Sequence, residues 1–504
     1  MSVISKSFAQ PLDRVAIALM LGLSLLIGLL LLQHDAVAPR VRDFSWQNKK
    51  IGAEDISFTL NFTRPMNIKS VEENLQIDPP LPGKISWAGR RMAYTVLAPA
   101  PYGTEYQVQL NGARDQFTQE SRTVIQPFNG NFRTRDRAFV YLGVEGEEQG
   151  RLVLYNLTEQ QKTILTPKNL VVVDFKSYPA GEKILFSAGE RSKNRQGLPL
   201  YNLYTVTTGS GHNQAPDNFS SFLTRQKGTE EPLGKINLVL DSKDFQNLKF
   251  DLSPDGQTIV VQRVSQRNPG EFGLWIIRPN TAPQPLKSEP GGDFMITPDS
   301  ASVAVAQGQG VAILPLRSEA TKPLDFLPQF GMALDFAQNG SQAAMVKFNS
   351  DYTRSLFLVT NQGTQTELVR TTGSILSCQF DPVSPKLYCL LTQLLGGEEY
   401  QEQPYLAEID LKTGQQKPLV LLPNQRNVQM SLSPDGLGLL FDQVVTGTEP
   451  NSSEINVPRT DEGEAIATSR LWLLPLMPAF EQQTTAQLKP EQLPLPGFHP
   501  RWLP

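Results

Sequence analysis

The sequence predicts an all-β protein: a small β-sandwich and then a seven-bladed β-propeller, behind one N-terminal transmembrane helix. Three observations carry that prediction. An uncharged apolar run sits near the start, period-two strand patterns follow it, and a strand–turn–strand unit then recurs to the end of the chain.

At 504 residues the chain is too long for one small core, so more than one domain is expected. Charged residues make up 19% and the formal net charge is −4, which gives no pull toward nucleic acid. The 37 glycines and 39 prolines are scattered between short apolar runs, as a chain with many tight turns requires. With 3 histidines and 2 cysteines, an imidazole or thiolate metal centre is hard to assemble, and no cofactor is expected.

The apolar run is Val15 to Leu32, VAIALMLGLSLLIGLLLL, free of charge. As a helix it is about 27 Å long, close to the hydrocarbon thickness of a bilayer. A buried soluble helix would carry a polar face, and this run has none. Residues 1–14 read as a tail, 15–33 as a membrane-spanning signal anchor and 34–43 as a linker. The alternative is a cleaved signal peptide, for which Ala36-Val37-Ala38 has the small-x-small pattern. Pro39 just after that cut, and the long apolar core, favour retention. Lys6 and Arg14 precede the run while Arg40, Arg42, Lys49 and Lys50 follow it, so charge alone does not orient it.

Residues 44–115 read as the sandwich. Ile56, Phe58, Leu60 and Phe62 alternate with polar neighbours, the period of a strand with one buried face. Further strands are expected at Leu75 to Ile77, Lys84 to Trp87, Met92 to Leu97 and Tyr106 to Leu110, with proline- and glycine-bearing turns between them. Residues 116–133 read as a linker. Phe62-Thr-Arg-Pro-Met66, Ser70-Val71, Trp87, Leu97-Ala-Pro99 and Gly103-Thr-Glu-Tyr106 together resemble the bacterial Ig-like domain of surface-layer and exported proteins. That resemblance implies a spacer or adhesion module without catalytic residues. Met66 and Trp87 are expected in its core.

From 134 to 504 a unit repeats. Its clearest copies are Leu252-Ser253-Pro254-Asp255-Gly256 and Leu432-Ser433-Pro434-Asp435-Gly436, each followed by an apolar strand. Thr297-Pro298-Asp299-Ser300, Tyr178-Pro-Ala-Gly181, Ala337-Gln-Asn-Gly340 and Asp381-Pro-Val-Ser384 are weaker copies, and Thr134-Arg-Asp-Arg137 is a degenerate first one. Proline fixes one φ and glycine permits a positive one, so the strand returns on itself. A third strand follows in most units. The period is roughly 40–45 residues with four strands, the mark of a propeller blade. One spacing of roughly 76 is read as an insertion over 209–233 in blade two, since that stretch holds no pair of strands. The repeats resemble the TolB-like propeller family, which shares the Ser-Pro-Asp-Gly turn with an aromatic just before it. The tail Pro500-Arg-Trp-Leu-Pro504 is the start of a further unit and is expected to close the ring beside Ala138 to Leu142.

Cys378 and Cys389 flank the turn at Asp381 to Pro385, and antiparallel pairing about it sets them side by side. They are candidates for a disulfide, with two reduced core thiols as the alternative. Catalytic motifs are missing. There is no Gly-x-Ser-x-Gly elbow, Gly209-Ser-Gly-His212 reads as a loop, and Gly228 to Lys235 has the wrong spacing for a phosphate loop. The acidic Glu145 to Glu148 and Glu398-Glu399 read as solvated loops. Binding, if loop-borne, belongs to the polar insertions 190–200, 209–233, 393–404 and 446–468, or to the mouth of the propeller channel.

The expected function is therefore a membrane-anchored, non-catalytic binding or scaffolding protein of the bacterial cell envelope, with most of the chain extracytoplasmic. The TolB-like resemblance implies a protein or peptide partner. The alternative is an envelope hydrolase or lyase whose carboxylates converge at the propeller mouth.

Overall fold

A computed structural model of the chain describes all residues except 1–10, 35–37, 117–123, 192–199, 210–231, 288–290, 309, 318–326, 398–399, 423–426, 448–457, 461–462 and 477–488. Helix α1 spans Pro11–His34, and its described side chains are those of 15–28. Among the described residues no helix is long and apolar enough to cross a membrane. The rest is mostly β and divides into two units. One comprises the residues up to Ala100 with Thr104–Arg135, the other Pro101–Gly103 with Asp136–Pro504.

The first unit has two four-stranded sheets. Its strands are β1 (Val41–Phe44), β2 (Lys50–Ile51), β3 (Ser57–Phe62), β4 (Leu75–Asp78), β5 (Gly83–Ala88), β6 (Arg91–Val96), β7 (Glu105–Leu110) and β8 (Phe128–Thr134). The orders are β1-β3-β6-β5 and β2-β8-β7-β4. Alternating side chains from both sheets fill one core, with Phe58 stacked on Tyr94 at 5.0 Å and Tyr106 on Phe132 at 5.0 Å. Met66 is buried there, and half-buried Trp87 stacks on Phe62 at 5.8 Å.

Three expectations need correction in this unit. The linker over 116–133 contains most of β8, which pairs with β7 from Phe128↔Leu110 to Arg133↔Glu105. Asn129, Gly130 and Asn131 hid it, because these residue types are depleted in strands. Similarly, β1 begins inside the linker expected at 34–43. Ile56 is 59% exposed, so the buried alternation starts only at Phe58. A short helix, α2 (Ile68–Asn74), also follows the Pro-Met turn, capped by Asn67, whose side chain accepts the Ser70 N–H at 3.0 Å.

The second unit holds seven successive antiparallel sheets like propeller blades. Sheet one runs Gly497–Trp502, Ala138–Gly143, Leu152–Asn156 and Gln161–Ile164. Sheet two runs Leu170–Ser177, Lys183–Glu190, Asn202–Thr207 and Ile236–Leu240. Sheet three runs Phe245–Leu252, Ile259–Ser265, Phe272–Ile277 and Gln284–Pro285. Sheet four has Phe294–Ile296, Ser302–Gln307 and Gly310–Pro315 among the described residues. Sheet five runs Met332–Phe336, Gln342–Phe348, Arg354–Thr360 and Gln365–Thr371. Sheet six runs Ile375–Phe380, Lys386–Leu395, Gln401–Asp410 and Gln416–Leu421. Sheet seven runs Met430–Leu432, Gly438–Thr446, Ile466–Pro475 and Glu491–Gln492.

The C-terminal strand is the first strand of sheet one. Phe498 pairs with Leu142 and Trp502 with Phe139, so the two ends of the unit share one sheet. Apolar clusters lie between each sheet and the next, and one of them joins Leu440 and Leu471 of sheet seven to Phe139, Val153 and Trp502 of sheet one. The long spacing in sheet two is an insertion between its third and fourth strands, which still pair at Val206↔Ile236. Most of that insertion lies outside the described residues.

Candidate functional site

The repeat turns do structural work. At Ser253 to Gly256 the Ser253 hydroxyl donates to Asp255 Oδ1 at 2.5 Å, Asp255 accepts the Gln257 N–H at 2.9 Å, and Gly256 has φ +69°. Asp435 repeats this with Ser433 at 2.6 Å and Leu437 at 3.1 Å, beside Gly436 at φ +71°. Asp299 accepts from Thr297 at 2.6 Å, and Ser300 takes the left-handed place at φ +57°. Pro254, Pro298 and Pro434 precede these aspartates in each turn. Burial pushes the Asp255 carboxyl up, but the Ser253 and Gln257 hydrogen bonds and the Arg317 guanidinium hold it below its ordinary value.

The stronger candidate is a column of residues two places before each turn: Lys176, Asp251, Met295, Asp335, Gln379, Ser431 and, in the C-terminal strand, Arg501. They lie on the first strands of the seven sheets, and most of them tie one sheet to the next. Lys176 Nζ is 3.3 Å from Asp251 Oδ1, and Asp251 Oδ2 accepts the Ile296 N–H of sheet four at 2.8 Å. Asp335 accepts the Phe380 N–H of sheet six at 2.8 Å. Gln379 accepts the Leu432 N–H of sheet seven at 2.7 Å, and Ser431 accepts the Trp502 N–H of sheet one at 3.1 Å. Five first strands also carry a register bulge at this column or a few residues before it, which re-aims the local side chains.

The electrostatics follow from that crowding. Burial pushes the Asp335 carboxyl up to about 6, against the opposing pull of the Phe380 and Phe336 N–H groups and of the Lys176 and Arg501 cations. Burial, followed by the Arg501 and Lys176 charges, holds His499 well below the ordinary imidazole range, so it is neutral at pH 7. Its Nε2 lies 3.8 Å from Asp174 Oδ1, and its backbone N–H donates to Asp442 Oδ2 at 2.6 Å. Among the described residues no three His, Cys, Asp or Glu side chains gather to hold a metal ion.

Register places the starts of the first strands at the same sheet edge as the hairpins between second and third strands. Met332 pairs with Val346 near Phe348, and Ile375 with Leu391 near Leu394. Those hairpins expose apolar side chains: Phe272 in sheet three, Phe348 and Tyr352 in five, Leu394 and Tyr400 in six, Val445 in seven. Tyr352 is 91% exposed at the hairpin tip. The stretch 393–404, expected as a polar insertion, is instead mostly hairpin, paired from Lys386↔Asp410 to Leu395↔Gln401. Its glutamines and glutamates masked the strand pattern. Glu398-Glu399 and most of 190–200, 209–233 and 446–468 lie outside the described residues, as do residues 210–212 and 228–231 of the two rejected motifs.

Two further placements matter. Cys378 and Cys389 are direct register partners in sheet six, joined by a disulfide with Cα atoms 4.1 Å apart. Of the acidic run at 145–148, expected in solvent, Glu148 is buried instead: it accepts the Tyr141 hydroxyl at 2.8 Å and pairs with Lys162. The column itself was open to sequence reasoning, because aligning the repeats on their turns stacks Lys176, Asp251, Asp335, Gln379 and Ser431 in one place.

No family model and no curated protein matches the chain. Among solved structures it is distantly similar to β-propeller proteins. TolB from Acinetobacter baumannii has 12% identity and a TM-score of 0.38, over 86% of this chain and 83% of that one. A putative 6-phosphogluconolactonase from Bacteroides fragilis has 11% identity and a TM-score of 0.41, over 73% and 98%. A putative TolB from Agrobacterium tumefaciens has 10% identity and a TM-score of 0.35, over 57% and 90%.

Proposed function

We propose that this protein is a membrane-anchored, non-catalytic binding or scaffolding protein of the bacterial cell envelope. In this reading the apolar run at 15–32 anchors the chain in the membrane, an Ig-like unit acts as spacer, and a seven-bladed TolB-like propeller engages a protein or peptide partner. The observation that carries it is the row of exposed apolar residues at one edge of sheets five to seven: Phe348, Tyr352, Leu394, Tyr400 and Val445. Apolar groups repeated on adjacent hairpins suit a protein contact, in which aromatic anchors supply most of the binding energy. The Cys378–Cys389 disulfide supports an oxidising, extracytoplasmic compartment. The column carboxylates favour structure over catalysis, since Asp251 and Asp335 each accept a neighbouring strand's N–H.

Chemical cross-linking in intact membranes, followed by mass spectrometry, tests the reading. A discrete envelope partner should cross-link to the wild-type chain and be lost with Phe348→Ala, Tyr352→Ala and Tyr400→Ala combined. Finding no protein neighbour, or the same neighbour with the triple variant, would overturn it.

A further inference from the structure

The end of the first unit at which the chain enters it is strongly basic. Four stretches of backbone meet there. The Thr63 N–H donates to the Arg40 carbonyl at 3.0 Å and the Phe62 N–H to the Arg90 carbonyl at 2.9 Å. The Gln116 N–H donates to the Pro65 carbonyl at 3.0 Å and the Asn67 N–H to the Arg114 carbonyl at 2.9 Å. These bonds gather Arg40, Arg64, Lys69, Arg90, Arg91 and Arg114 at one end, all exposed except Arg64. The carboxylates there are Asp115, buried 3.9 Å from Arg64, and Glu72 and Glu73 of α2. Six cations against three anions leave an excess of three positive charges, and Arg42 and Asp43 beside them cancel. Lys69, Arg91 and Arg114 have no side-chain hydrogen bond or ion pair among the described residues, and Ile68 beside them is 47% exposed.

Chain length fixes what this end faces. Helix α1 ends at His34, and the first unit takes hold of the chain at Pro39, whose carbonyl accepts the Gln126 N–H at 2.8 Å, and at Arg40. Fully extended, the six residues after His34 reach at most about 21 Å. An end so tethered stays near the bilayer surface whichever way an anchor points. Its arginines match phosphate oxygens in geometry and charge, and its cations feel an anionic surface within a Debye length of about 10 Å. We propose that this basic end docks on the phosphate groups of anionic phospholipids in the leaflet where the anchor emerges. The proposal rests on the anchor reading above.

The test uses the full-length chain in vesicles, with a photo-reactive residue at position 68 or at position 97. Position 97 is exposed and follows β6, which starts at Arg91 and runs away from the basic end. Lipid adducts from position 68 should form in vesicles containing phosphatidylglycerol and fall at least about fivefold in pure phosphatidylcholine, the factor that one cation at an anionic surface is worth. Lys69→Gln, Arg91→Gln and Arg114→Gln combined remove the excess charge and should lower the yield to the neutral level. Salt at about 1 M, where the Debye length is about 3 Å, should do the same to the wild type and serves should the variant not fold. No adduct from position 68, equal yields in anionic and neutral vesicles, or an equal yield from position 97 overturns the proposal. The anchor reading fails separately, if alkaline carbonate strips the chain from both kinds of vesicle. Charge-dependent adducts at position 68 from a chain so stripped would leave the docking standing without the anchor.

Discussion

Deleting residues 497–504 should remove most of the stability of the second unit, because those residues complete sheet one. The deletion strips buried Phe498, Trp502 and Leu503 from two inter-sheet clusters. At about 1.5–3 kcal/mol for each side chain, that is about 5–9 kcal/mol. It also removes the His499 N–H bond to Asp442 and the Trp502 N–H bond to Ser431, at about 1 kcal/mol each. The total, about 7–11 kcal/mol, is comparable with the about 5–15 kcal/mol that holds a typical domain together. An unfolding entropy near 2.1 cal/mol/K per residue, over roughly 370 residues, gives about 0.8 kcal/mol/K. The deletion therefore lowers the melting temperature by about 9–14 °C if the unit still unfolds cooperatively. Trp502→Ala alone, at about 3–5 kcal/mol, lowers it by about 4–6 °C. Scanning calorimetry on the full-length chain in detergent measures both. A truncated chain melting within about 1 °C of the wild type would refute the reasoning, since sheet one would then hold without its first strand.

Other perturbations test other links. Asp335 has a folded pKa near 6, above its ordinary value, so the folded state resists its ionisation. Stability from this group is greatest below pH 3.8 and is lost as pH rises through 6. Asp335→Asn can still accept the Phe380 N–H, so it should melt higher than wild type above pH 6 and converge with it near pH 4. His499 has the opposite sign: its folded pKa lies well below 6.5, so its contribution is present above pH 6.5 and lost as pH falls below it. His499→Asn, which tolerates the positive φ of that position, should flatten this acid-side loss in pH-dependent melting curves. Replacing Cys378 and Cys389 together by alanine opens a loop with a sequence separation of 11 and should cost about 3 kcal/mol in denaturant unfolding. The combined Phe348→Ala, Tyr352→Ala and Tyr400→Ala variant should stay within about 0.5 kcal/mol per exposed site, so any lost partner contact is not a folding defect.

The repeat architecture was legible because its signal is local. A proline, an aspartate and a positive-φ residue in fixed order dictate a turn, and apolar runs on both sides then pair about it. Cys378 and Cys389 were placed opposite each other by that logic alone. What escaped were strands whose residues serve other ends. Asn129, Gly130 and Asn131 in β8 look like a linker, and Gln401, Glu402 and Gln403 look like a polar loop, yet both stretches are held by backbone pairing to a neighbouring strand. The column is a third case. Lys176, Asp251 and Asp335 are unremarkable one by one, and their roles come from contacts between sheets tens of residues apart.

The most direct test of the binding role places a photo-reactive residue at single positions of the full-length chain in intact membranes. Position 352 lies at the tip of the exposed hairpin, and position 339 lies on the exposed repeat turn at the opposite edge of the same sheet. The account predicts a discrete adduct with one envelope protein or peptide from position 352 and none from position 339. No adduct from position 352, or the same adduct from both positions, would contradict it.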